Sequence, residues 1–233
     1  MHKIKICGMM SEADIDISSG ADILGFVMAP GSKRELSLER TKHLIKYSKK
    51  YDVKTAVVLT SKKYSEIEAI MSTVNPDIMQ LHYLPDHAML SRLVDSIAYA
   101  GKSKTEICVS MPVPYIPETD VEGFVSETSR VLNDYFERGV EYIILDTMAP
   151  LNNRNLTGGT GITHNWNISA QIVKLTNGKI FIAGGLTPDN VNVALRVTSA
   201  YGVDVSSGVE YNDRTGKDPV KVQKFLDEVK GLG

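Results

Sequence analysis

Eight short apolar runs, each followed by a helix-period stretch, in a chain of 233 residues predict an α/β protein built as one (β/α)8 TIM barrel. Single barrels run to about 250 residues. Hydrophobic residues make up 42% of the chain, enough for one sizeable core, and no linker divides it, so residues 1–233 are expected to form one domain.

The expected strands are 4–7, 23–27, 55–59, 78–81, 107–110, 142–145, 180–183 and 203–205. Several are almost uniformly apolar, as a parallel strand covered on both faces should be. Ser11-Glu12-Ala13-Asp14 and Ser37-Leu38-Glu39-Arg40 open helices, the second with Leu44, Ile45 and Tyr47 as a buried stripe. Ile67, Ile70 and Met71 share one helix face. Pro188 and Pro219 stand where a first helical turn tolerates a missing N–H, and Val222, Phe225, Leu226 and Val229 line the last helix. The first strand is not followed by G-x-G-x-x-G, which counts against the open dinucleotide-binding sheet. The least regular stretches are 111–120, rich in Pro, and 148–163, rich in Asn and Gly. Both follow strands and so belong to the face where barrels build their sites.

Composition excludes several classes. The net charge is −2 and no basic run carries interleaved aromatics, so no nucleic-acid partner is expected; Lys49, Lys50, Lys62 and Lys63 read as solvated faces. No apolar run reaches the roughly 18 residues that cross a bilayer, so no membrane partner is expected. The alternating N-terminus lacks a signal-peptide core, and a cytoplasmic protein is expected. Two cysteines, Cys7 and Cys108, make no disulfide framework, and Cys108 reads as core. The five histidines show no metal-ligand spacing, so no metal is expected.

Cys7 ends strand one, His82 strand four and Asp146 strand six; Gly184 and Gly185 follow strand seven, and Ser206, Ser207 and Gly208 follow strand eight. Backbone N–H groups presented by glycine loops suit a phosphate, and barrels place phosphates at these two loops. Gly184-Gly185 alone would read equally as a tight turn; the second glycine loop favours a phosphorylated small molecule held by Gly184, Gly185, Ser207 and Gly208. Asp146 emerges from a buried strand and reads as a general acid or base, or as a loop cap beside Thr147. A free cysteine is more often a small buried hydrophobe, so the residues alone leave the role of Cys7 open. Gly158-Gly159-Thr160-Gly161 suits the hinge of a lid over the site, or simply a flexible surface loop.

Together these residues resemble the phosphoribosylanthranilate isomerase family of tryptophan biosynthesis. The similarity runs through Lys5-Ile6-Cys7-Gly8, Gly20-Ala21-Asp22, Leu24-Gly25-Phe26-Val27, Ser32-Lys33-Arg34, Gln80-Leu81-His82 and Leu145-Asp146-Thr147. It continues with residues 158–161, Trp166, Ala183-Gly184-Gly185-Leu186, Pro188, Asn190-Val191, 204–210 and Lys217-Asp218, in family order over nearly the whole chain. The resemblance implies a cofactor-independent Amadori rearrangement, with Asp146 as general acid and Cys7 as general base. It implies that Arg34 holds the anthranilate carboxylate, that His82 and Asp204 line the substrate site, and that the two glycine loops hold the phosphate. The sequence does not choose between a monomer and a homodimer, and either is expected. Departures cluster on the aromatic side: Tyr83 follows Gln-Leu-His where the family has Gly, Ile162 replaces a Lys, His164-Asn165-Trp166 replaces Phe-Asp-Trp, and strand five lacks a Lys. These leave two competitors, a paralogue acting on another phosphosugar and a non-catalytic phosphometabolite-binding protein.

Overall fold

The computed structural model describes residues 1–99, 105–114, 120–151, 154–157 and 163–232, the side chains of 148–151 and 154–157 excepted. Its strands are β1 (Lys3–Cys7), β2 (Ile23–Met28), β3 (Lys54–Leu59), β4 (Ile78–Leu81), β5 (Glu106–Pro114), β6 (Val140–Leu151), β7 (Arg154–Thr157), β8 (Lys179–Ile182) and β9 (Gly202–Val205). They lie in the order β5-β4-β3-β2-β1-β9-β8-β6-β7, and β5 also pairs with β6, which closes eight parallel strands into a barrel. The helices are α1 (Glu12–Ser18), α2 (Leu38–Ser48), α3 (Tyr64–Val74), α4 (His87–Tyr99), α5 (Val121–Glu137), α6 (Trp166–Leu175), α7 (Val191–Thr198) and α8 (Pro219–Lys230). The expected barrel is the observed one.

Helix starts follow local chemistry. Ser11 caps α1 by accepting the Asp14 N–H at 3.1 Å, and Asp14 reaches back to the Ser11 N–H at 3.0 Å, a complete capping box. Ser37 caps α2 and Asp218 caps α8, where Pro219 takes the first turn. Pro188 behaves differently from expectation. α7 begins at Val191, and Pro188 lies in the turn before it, which Asn190 closes by accepting the Thr187 N–H at 2.8 Å.

Three apolar clusters result among the described residues, the smallest being Val27, Ala29 and Val58, against which Cys7 packs. Ile4, Ile6, Leu24, Phe26, Val57 and Leu81 face outward and pack under the helices with residues such as Leu44, Ile67, Phe225 and Leu226. Ile23, Ala56, Ile78, Cys108, Tyr142, Ile144, Phe181 and Ala183 fill the barrel itself. At its N-terminal end Tyr142, Phe181 and Tyr201 pack edge to face, and Lys54 bridges Glu106 and the Tyr142 hydroxyl, forming a floor.

The two stretches read as irregular are partly regular. β5 runs on to Pro114, but its pairing with β4 ends at Val109; Pro112 and Pro114 therefore lie where one edge is unpaired and a missing N–H is tolerated. β6 runs on to Leu151 and turns back as β7 in an antiparallel hairpin, which replaces the first half of the expected irregular loop. The glycine hinge at 158–161 and Ile162 lie outside the described residues. Among the described residues no helix is long and apolar enough to cross a membrane. Lys50 and Lys63 are paired with Asp16 and Glu66, each at 2.9 Å, on the surface.

Candidate active site

The inward-facing residues at the C-terminal ends of the strands gather at the barrel mouth. β1 contributes Lys5 and Cys7, one strand period apart. The register sets Lys5 beside Asp204 of β9 and Cys7 beside Gly25 of β2. Gly25 makes room: a Cβ there would stand 2.8 Å from Cys7 Sγ. Lys5 Nζ donates to both carboxylate oxygens of Asp204 at 2.9 Å, and the lysine is 2% exposed. Burial disfavours its charge, yet the Asp204 carboxylate holds its pKa above the ordinary lysine range.

Asp146, on β6 across the mouth, is 6% exposed. Burial first, and the Asp204 charge second, push its carboxyl up to about 7; the Thr147 backbone N–H and the Lys5 charge pull the other way. His82 Nε2 lies 4.0 Å from Asp146 Oδ2, and His82 Nδ1 lies 3.2 Å from Ser110 Oγ on β5. Burial also raises the Cys7 thiol, and the Lys5 ammonium opposes that rise. The mouth therefore holds an acid that is half protonated near neutral pH and a thiol beside a fixed cation.

Arg34 packs on Gly8, the residue after Cys7. Gly8, at φ +88°, permits it, since a Cβ at Gly8 would overlap the Arg34 side chain. Its guanidinium donates to Glu210 through Nε at 2.5 Å and Nη2 at 2.7 Å. Lys217 Nζ adds a bond to Glu210 at 3.1 Å and donates to the carbonyls of Cys7 at 2.6 Å and Ser206 at 3.2 Å. Burial would raise the Glu210 carboxyl, but these two cations hold it below its ordinary value. Lys217 and Glu210 thus tie the ends of β1 and β9 together. Arg34, expected to hold the anthranilate carboxylate, spends two of its five N–H donors on Glu210; the other three have no partner among the described residues.

The two glycine loops abut. Gly184 and Gly185 have φ +85° and +64°, and a Cβ at Gly184 would overlap Thr147 Oγ1. A Cβ at Gly208 would overlap the Leu186 carbonyl, so the loop after β9 presses on the loop after β8. Between them lies a cavity of about 390 Å³ lined by Gly185, Thr187, Ser207, Gly208, Arg214 and Lys221, among others. All four residues read as a phosphate grip belong to these loops. Arg214 escaped the sequence reading. Its signal is conformational, a non-glycine residue at φ +61°, and no sequence pattern marks it.

The aromatic-side departures resolve locally. Tyr83 donates its hydroxyl to the Ser61 carbonyl at 2.8 Å, which ties it to the loop after β3. His164 is buried, 2.8 Å from Thr147 Oγ1 and 2.6 Å from Ser169 Oγ, and burial lowers its pKa to about 4. Among the described residues no group of three His, Cys, Asp or Glu side chains is arranged to hold a metal.

Comparison with known proteins is consistent along the whole chain. The profile of the family described as N-(5'phosphoribosyl)anthranilate (PRA) isomerase matches residues 4–228. An N-(5'-phosphoribosyl)anthranilate isomerase of Methanosarcina acetivorans is 32% identical over 232 residues, covering 98% of this chain and 93% of that one. The crystal structure of the phosphoribosyl anthranilate isomerase of Thermotoga maritima superposes with a TM-score of 0.78 at 26% identity, covering 100% of both chains. A phosphoribosyl anthranilate isomerase solved in complex with reduced 1-(o-carboxyphenylamino)-1-deoxyribulose 5-phosphate gives a TM-score of 0.75 at 25% identity, also over 100% of both chains.

Proposed function

Because this chain belongs to the N-(5'-phosphoribosyl)anthranilate isomerase family, we propose that it converts N-(5-phosphoribosyl)anthranilate to 1-(2-carboxyphenylamino)-1-deoxyribulose 5-phosphate, a step of tryptophan biosynthesis. The reaction is an internal redox change from aminoaldose to aminoketose. C2′ is oxidised as C1′ is reduced, so no external oxidant, reductant or cofactor enters.

The observation that carries the reading is a buried carboxyl, Asp146, on the same barrel mouth as the Cys7 thiol, where burial raises it towards neutral pH. Asp146 protonates the ribose ring oxygen; the C1′–O bond breaks and a Schiff base forms. Cys7, as thiolate, removes the proton from C2′, and its electron pair moves to give an enolamine. Tautomerisation of the enolamine yields the ketose. Each proton transfer of this kind contributes about 10²–10⁴-fold. Lys5 supports the thiolate by its charge. The three Arg34 donors without a partner among the described residues suit the anthranilate carboxylate. His82 and Asp204 line the sugar, and Gly184, Gly185, Ser207 and Gly208 cradle the phosphate.

The test is turnover of freshly generated substrate, followed as loss of anthranilate-type fluorescence. Turnover that disappears in both Cys7→Ala and Asp146→Asn supports the reading; well-folded wild-type protein without turnover overturns it.

A further inference from the structure

His164 is buried and both of its ring nitrogens are engaged by protein hydroxyls, those of Thr147 and Ser169, so neither is left to meet a substrate. Its neighbours suggest another task. The His164 backbone N–H donates to Thr147 Oγ1 at 3.1 Å, and its Nδ1 lies 2.8 Å from the same atom. Its Nε2 is anchored 2.6 Å from Ser169 Oγ, in the second half-turn of α6. Thr147 is fully buried, directly follows Asp146, and offers that carboxylate its backbone N–H. It also backs so closely onto Gly184 that only glycine fits there. The pairing of β6 with β8 ends at Leu145 and Ile182, with one more bond from the Ala183 N–H to the Leu145 carbonyl. Above that level, His164 bonds the Thr147 side chain on the glycine-turn flank of the strand.

We propose that His164 is a positioning residue, which clamps Thr147 and thereby sets both the direction of the Asp146 carboxyl and the turn at Gly184. One ring would then align the acid with the phosphate end of the site. The inference rests on the isomerase reading for its kinetic arm only.

The two ring nitrogens can be separated by substitution. An asparagine amide reaches about as far as Nδ1 and keeps the bond to Thr147; a glutamine amide reaches about as far as Nε2 and keeps the bond to Ser169. With positioning through Thr147, His164→Gln lowers kcat by about tenfold or more, as small misplacements of reacting groups do, while KM stays within about twofold. His164→Asn keeps most of kcat. Ser169→Ala lowers the melting temperature without lowering kcat. Equal kcat losses in the Asn and Gln variants, or losses that follow melting temperature alone, overturn the proposal.

A second readout needs no substrate. Carboxyl NMR titration of Asp146 gives a higher pKa in His164→Gln than in wild type, because the Thr147 N–H is no longer held on the carboxylate, and an unchanged one in His164→Asn. An unchanged pKa in both overturns the clamp. If wild-type protein shows no turnover, the isomerase reading falls and the titration still decides about His164. If His164→Gln does not fold, Thr147→Val, which removes the shared hydroxyl, takes its place in both measurements with the same expected outcomes.

Discussion

Lys5 and Asp204 form a buried ion pair in which one ammonium faces both carboxylate oxygens at 2.9 Å, inside the barrel and directly below Cys7. Removing one partner leaves a desolvated charge, which destabilises proteins by about 3–5 kcal/mol. Lys5→Met is therefore expected to lose stability of that order in urea unfolding. Adding Asp204→Leu should restore most of it, since a well-packed apolar pair replaces a buried ion pair at little loss. Activity should not return with stability, because the Cys7 thiol has lost the cation that favours its ionised form.

Asp146 sets a pH dependence of the opposite sign to that of most carboxylates. Its pKa rises from 3.8 unfolded to about 7 folded. Between those values the folded protein holds a proton that the unfolded chain releases, so stability from this group is present at low pH and is lost as pH rises through 7. Asp146→Asn is expected to raise stability at pH 8 by roughly 2–4 kcal/mol, with the gain gone near pH 4. The same substitution should lower turnover by about 10²–10⁴-fold. Urea unfolding at the two pH values, with kinetics at neutral pH, measures both.

Gly25 is the space that Cys7 occupies. A methyl group there would stand 2.8 Å from Sγ and 3.0 Å from the Cys7 Cα, so the thiol must move. Gly25→Ala should fold, since neighbouring β2 positions are ordinary strand, but should lower kcat with little change in KM. Slower alkylation of Cys7 by iodoacetamide would locate the effect at the thiol.

The phosphate end should separate charge from shape. Arg214 lines the cavity from the surface, so Arg214→Ala should weaken binding of inorganic phosphate by about two- to fivefold, the weight of an exposed charge contact, and the difference should fade with added salt. Gly208→Ala should weaken it more and independently of salt, because it forces the two loops apart. Isothermal titration at two ionic strengths distinguishes them.

What the sequence disclosed was local or periodic. Ser11, Ser37 and Asp218 announce helix starts because capping acts within three residues. Cys7, Asp146 and the glycine loops are found at strand ends once the eight apolar runs are counted. The β6–β7 hairpin stayed hidden because Pro150 and the asparagines beside it read as loop, and its stability comes from pairing across the turn. Lys5 with Asp204, 199 residues apart, and His164 with Thr147 and Ser169 have no spacing signature; only the folded barrel makes them neighbours. Pro188 misled by one turn because a capped turn and a first helical turn tolerate proline equally.

The aromatic floor of Tyr142, Phe181 and Tyr201 makes the barrel a blind vessel. With that floor packed, a substrate bound at the rim as proposed would also be the stopper. In the proposed reaction the proton that Cys7 takes from C2′ would stay with the intermediate that has to be reprotonated at C1′, and a deuterium placed at C2′ is expected at C1′ of the product to a degree that an open-ended barrel would not allow.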